Sequence, residues 1–233
     1  MKIAIMQPYI FPYIGYFQLI NAVDKFVFYD DVNYIKKGWI NRNRILVNSD
    51  ANLFTVPVLK ASQNKLINQI ELCIDAKWFR QFYSTLEHNY KNAPYYLETT
   101  DLIKAIFSQS CTTISDLAIT SIKTISNHLS INTVFETSSE LYSSTKGLEK
   151  ANRLIAICKL NNAATYINPA GGKELYHKPY FEQQGIELFF IDNKIIPYNQ
   201  FKHPFVGGLS LIDVLMFNST EQLNGLINQY NLI

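Results

Sequence analysis

The chain lacks most of the features that announce a function outright. Its three cysteines, Cys73, Cys111 and Cys158, are odd in number and widely spaced in apolar or Ser/Thr surroundings, which argues against a disulfide framework and predicts buried thiols in a reducing compartment. Charge of one sign is missing too. Lys and Arg number 21 against 19 Asp and Glu, and a net charge of +2 sets up no global field that would make nucleic acid or an anionic membrane the main partner. No apolar run approaches the roughly 18 residues of a membrane span. The opening Met1-Lys2-Ile3-Ala4-Ile5-Met6-Gln7-Pro8 is too short an apolar stretch for a signal peptide, so a cytoplasmic protein is expected. His88, His128, His177 and His203 have no close metal-ligand spacing, and no metal site is expected from them. Cys158 falls on a helical apolar stripe with Leu148, Ala151 and Ile155 and reads as a packing residue rather than a nucleophile.

Aromatic rings, by contrast, are plentiful: 15 Tyr and 15 Phe in 233 residues are enough both to fill a core and to line a site. Ile3 to Met6 predicts a buried strand ended by Gln7-Pro8. Tyr16, Phe17, Leu19 and Ile20 then suit a short amphipathic helix, and Lys25 to Tyr29 a second strand ending at Asp30-Asp31. That is an N-terminal β-loop-α-β unit of a parallel or mixed sheet, whose sites lie at the carboxyl ends of the strands. Ile45 to Val47 and Leu53 to Val58, joined by the turn formers 48–52, predict a hairpin. From about 76 to 130 the pattern is helical, most clearly in the stripe Ile114, Leu117, Ala118, Ile122, Ile125 and Leu129. Strands return at 133–135, 164–167 and 186–191, with helices near 147–160 and 174–184 between them. Ser210, and Ser219 three residues before Gln222, predict the caps of two final helices, with Asp213 helping to cap the first. The expectation is a single α/β domain over 1–233 with a helical middle layer, and an optional helical subdomain at about 76–130.

Two strings are too peculiar for packing alone. Gln7-Pro8-Tyr9-Ile10-Phe11-Pro12-Tyr13-Ile14-Gly15-Tyr16-Phe17-Gln18 and Asp30-Asp31-Val32-Asn33-Tyr34-Ile35-Lys36-Lys37-Gly38-Trp39-Ile40-Asn41-Arg42-Asn43-Arg44 crowd aromatics, amides and cations into the loops after the first two strands. They resemble the WbqC-like family, whose members open with QPxxxPxxGY and follow with D-x-V-x-Y-x-K-x-x-W-x-N-R-N. The resemblance extends through Val56-Pro57-Val58, Trp78, Tyr90, Ala93-Pro94, Tyr166 and the stretch from Tyr198-Asn199-Gln200 to Asp213. It implies a place in bacterial surface-polysaccharide or O-antigen synthesis. A more distant likeness is to His-x-Gly-His nucleotidyltransferases, with Tyr13-Ile14-Gly15-Tyr16 in the position of that loop; both histidines are absent, which puts ordinary adenylyl transfer in doubt.

The substrate-binding candidates are Gln7, Tyr13, Gly15, Tyr16, Lys36, Trp39, Asn41, Arg42 and Asn43. Arg supplies a planar fork for phosphate, Lys a point charge, Asn a paired donor and acceptor, and Trp a face for stacking, a mixture that suits a nucleotide-linked sugar or another activated donor. Gly15 would let a phosphate approach the helix N-terminus; the bland alternative is a turn and a core helix. Lys37 and Arg44 complete the cationic run, which otherwise reads as a solvated turn. Asp30, and His203 beside a family-like string, are the catalytic candidates; Asp30 would hold a ribose hydroxyl, a magnesium ion or a substrate amine, unless it merely caps a turn. Pro169-Ala170-Gly171-Gly172-Lys173 reads as a turn in preference to a phosphate cradle. The resulting expectation is an enzyme that transfers an acyl, aminoacyl or nucleotidyl group, with a nucleotide and magnesium as the compatible cofactors. A non-catalytic protein that binds a glycan intermediate or a partner enzyme is the alternative.

Overall fold

The structure, a computed structural model, describes residues 1–148, 150–202 and 204–233. Lys2–Met6 forms β1, stopped by Pro8, which has no N–H to continue a ladder. Helix α1 (Ile14–Asn21) returns the chain to β2 (Lys25–Phe28), which pairs parallel to β1 with Ile3 opposite Lys25 and Met6 opposite Phe28. The hairpin is β3 (Arg42–Val47) with β4 (Asp50–Thr55), a separate two-stranded sheet. Its turn is shorter than the five residues expected. Asn48 and Ser49 take left-handed φ values of 50° and 68°, a two-residue turn that suits the strand twist, so residues 50–52 join the ladder.

The helical layer is α2 (Ala76–Tyr90), α3 (Tyr96–Phe107) and α4 (Ile114–His128). Then come β5 (Val134–Thr137), the single turn α5 (Ser138–Leu141), α6 (Lys150–Leu160), β6 (Thr165–Pro169), α7 (Lys178–Glu182) and β7 (Glu187–Asn193). The chain closes with α8 (Leu211–Phe217), α9 (Thr220–Ile227) and a short β8 (Tyr230–Leu232). Among the described residues, six strands form one sheet in the order β5-β2-β1-β6-β7-β8, parallel except for β8.

Period-two alternation divides the core. Ala4, Phe26, Phe28, Ile167 and Ile191 face α1 and the helical layer, while Ile3, Ile5, Val27, Tyr166, Leu188 and Phe190 face α6 and α7. The strand order reverses between β1 and β6, and in such sheets ligands bind beyond the carboxyl ends of the strands. Ser210 and Ser219 cap α8 and α9 as expected, Ser219 in a reciprocal box with Gln222. Ala170–Gly172 makes a single 3-10 turn between Pro169 and Lys173. The thiols are all free, but Cys73 is exposed and not buried: in the extended segment 71–75 the side chains alternate, with 72 and 74 turned in and 73 out. No helix among the described residues is long and apolar enough to cross a membrane.

Candidate functional site

Much of the second string proves to be scaffolding. Tyr34 donates to Asn41 Oδ1 at 2.7 Å, and Asn41 Nδ2 donates to the Val56 carbonyl at 2.9 Å, so the Asn41 amide is used inside the protein. Asn43 Nδ2 donates to the Phe11 carbonyl at 2.7 Å and its Oδ1 accepts from Arg44 N at 2.8 Å. Arg42 folds back on its own loop, with Nε 3.0 Å from the Gly38 carbonyl and the guanidinium also on the Lys37 carbonyl. Lys36 and Lys37 are solvent-exposed.

These bonds hold the first loop in a strained shape. Phe11 is fully buried yet has a φ of +41°, a conformation that bulky residues avoid. Three partners from distant segments fix it: Asn43 and the Ser210 hydroxyl donate to its carbonyl, and its own N–H donates to Ser121 Oγ. Pro12 and Tyr13 are thereby turned towards a cleft of about 340 Å³, lined also by Tyr9, Trp39, Asn43, Arg44, Ile195 and Gly208.

Arg44 is the cation of this cleft. Its Nη2 donates to the Gly208 carbonyl at 3.0 Å, its Cζ lies 5.5 Å from the Trp39 ring centre, and its buried Nε has no partner among the described residues. Gly208 has a φ of +68°, which favours glycine, and a Cβ there would stand 3.2 Å from Nη2 and press on the guanidinium. Burial, then the neighbouring Tyr13, pushes the Tyr9 phenol up to about 12, and burial raises that of Tyr13. Both remain neutral near pH 7, and Tyr13 already donates its hydrogen to Asn193 Oδ1 at 3.3 Å. An aromatic face, an incompletely satisfied guanidinium and two phenols thus line one cleft.

Tyr13, Trp39 and Asn43 therefore come together, and the other candidates among the described residues lie elsewhere. Tyr16 is buried, and its hydroxyl donates to the Gln7 carbonyl at 2.9 Å, which anchors the start of the loop. The space beside Gly15 is filled: a Cβ there would lie 2.3 Å from Tyr13 Cε2 and 2.8 Å from Asn193 Cγ. Gly15→Ala should consequently displace the Tyr13 ring and destabilise the protein by about 1–3 kcal/mol, measured by urea unfolding; an unchanged midpoint would show that the ring moves freely. Asp30 lines a different cleft beside α4, with its carboxylate bonded to Ser139 and Asn68, while Ser138 gives its one hydroxyl hydrogen to Asp31. His203 lies outside the described residues. No group of three His, Cys, Asp or Glu able to hold a metal converges among the described residues.

Sequence reasoning grouped Arg44 with the loop cations without selecting it. No local signal separates it from Arg42; the difference is that Arg42 finds carbonyls of its own loop. Asp213 also departs from expectation. It is fully buried, accepting from Tyr198 and Gln200 on Oδ1 and from Tyr90 on Oδ2, at 2.5, 2.6 and 2.7 Å, while Ser210 alone caps α8. Tyr90 in turn accepts from Leu46 N at 2.6 Å, so this network ties the 198–213 segment to the hairpin strand that carries Arg44.

A family model described as the WbqC-like protein family matches residues 7–225. A protein of Mycobacterium tuberculosis (strain ATCC 25618 / H37Rv), named Uncharacterized protein Rv1507c, is 31% identical over 221 residues, 93% of each chain. No solved structure matches the chain.

Proposed function

The chain belongs to the WbqC-like protein family, and from that premise we propose that it is a group transferase of bacterial surface-polysaccharide synthesis whose donor occupies the Trp39–Arg44 cleft. The donor is a nucleotide-linked sugar or a similarly activated molecule, and the group moved is acyl, aminoacyl or nucleotidyl. The observation that supports this reading is the Arg44 guanidinium, held by one carbonyl and one ring face with Nε unpartnered among the described residues. A phosphate would complete its hydrogen bonding, while Trp39, 41% exposed, keeps surface for a base or sugar. Catalysis in this reading rests on positioning and charge stabilisation.

A second reading, a non-catalytic protein that binds a glycan intermediate or a partner enzyme of the same pathway, is favoured by one feature of the lining. Among the described residues the cleft presents no carboxylate, imidazole or thiol to move a proton. The two readings separate on turnover. Nucleotides, nucleotide sugars and acyl donors, with and without magnesium, should include a ligand that raises the melting temperature with concentration. Arg44→Ala should weaken that ligand by roughly 10- to 100-fold, the loss of one or two charge-assisted hydrogen bonds, while Lys36→Ala leaves it nearly unchanged. Binding that survives Arg44→Ala would remove the donor from this cleft, and binding without product formation would favour the second reading.

A further inference from the structure

We propose that the separate cleft beside α4 is a binding site for a primary ammonium group carried on a polyhydroxylated ligand, an amino sugar in chemical class. This cleft, of about 590 Å³, opens at the carboxyl ends of β2 and β5. Asp30, Ser139 and Glu140 approach from the strand ends, and Ser115, Asp116 and Lys123 from α4. Three carboxylates against one amine make its field negative, opposite in sign to the cleft that holds Arg44.

The hydrogen bonding has a matching bias. Asp30 Oδ1 accepts from Ser139 N at 3.0 Å, and Oδ2 from Asn68 Nδ2 and Ser139 Oγ, at 3.1 and 2.7 Å. With its one hydroxyl hydrogen committed to Asp30, Ser139 can offer a ligand only lone pairs. Ser115 is the independent observation. It is 1% exposed, it lines the cleft, and its Oγ has no hydrogen-bond partner among the described residues. A buried hydroxyl in that condition can accept from a ligand N–H and donate its own hydrogen to a ligand oxygen, both of which an amino sugar supplies. An ammonium has three N–H donors and no lone pair, so Ser115, Ser139 and the exposed Glu140 complement it, and Lys123 at the rim can donate to a sugar hydroxyl.

The proposal stands on this cleft alone and does not depend on the donor reading. Isothermal titration of the full chain with D-glucosamine, and with D-glucose as the probe lacking the amine, tests it. Saturable binding of glucosamine at least about 10-fold tighter than glucose is expected, with Glu140→Gln and Ser115→Ala each weakening it about 5- to 10-fold and Arg44→Ala leaving it unchanged. Glu140 is exposed, so its variant folds even where Ser115→Ala disturbs α4. No glucosamine binding, equal binding of the two sugars, or binding indifferent to Glu140→Gln would overturn the proposal. Loss of nucleotide binding in Arg44→Ala with glucosamine binding intact would show that the two clefts are independent.

Discussion

Arg153→Met should lower the unfolding free energy by about 3–5 kcal/mol, because the substitution leaves a buried carboxylate without its cation. Arg153 and Asp31 are each about 5% exposed, with Nη2 2.6 Å from Oδ2. The guanidinium also donates to Thr145 Oγ1 at 3.1 Å and lies 4.7 Å from the Tyr29 ring centre. Lys146, 3.8 Å from the same carboxylate, is half exposed and offers little compensation. Ser138 stays within 2.5 Å of Asp31 but supplies one hydrogen where Arg153 supplied a charge. Urea unfolding of Arg153→Met, Asp31→Asn and the double variant separates the causes. Most of the loss should return in the double variant, which removes both charges; if it is as unstable as Arg153→Met, the cause is lost packing and not an unpaired charge.

Tyr90→Phe should cost about 2–5 kcal/mol, since one hydroxyl satisfies two buried groups. Without it the Leu46 N–H loses its acceptor and Asp213 loses one of three donors, at about 1–3 kcal/mol for each stranded group. The loss should also depend on pH. Burial raises the Asp213 carboxyl above its ordinary 3.8, against the opposing pull of Tyr198, Tyr90 and Gln200. Below 3.8 the group is protonated in both the folded and unfolded chain, and its contribution is fully present. As pH rises the unfolded chain releases the proton while the folded chain retains it, so stability falls until the raised folded value is passed. Removing the Tyr90 donor raises that value further and widens the window. The difference between wild type and Tyr90→Phe should therefore be larger at pH 7 than at pH 4, and an equal difference at both would refute the role given to Asp213.

The fold was legible where a local pattern and its burial agree. The stripe on α4 is buried at every residue from Ile114 to Leu129 that the periodicity selected, and the Ser219–Gln222 box forms as its spacing implies. Features that depend on partners far along the chain were not legible. β8 is three residues long and exists through its pairing with β7, which no short window reveals. Asp213 looks like a capping residue until Tyr90 arrives from a helix 123 residues away. In the candidate site, the aromatic and cationic strings contribute Tyr13, Trp39 and Asn43 to the lining of the first cleft. Composition could not distinguish side chains that face a ligand from those that hold the loop. Asn41 and Arg42 carry groups suited to a sugar or phosphate, and both are occupied by main-chain carbonyls.

The strand order has a consequence for synthesis on the ribosome. β1 is made well before β6, yet Lys2 and Ile3 take Thr165 and Tyr166 as neighbours on one side. At a translation rate of about 5–20 residues per second, that edge of the sheet stays open for roughly 10–30 s after β1 is made. During this interval β1, β2 and β5 can already pair, offering an apolar face that awaits α6 and α7. Nascent chains halted before β6 should therefore be the species that chaperones hold and proteases remove, whereas chains halted after β7 have all five parallel strands in place.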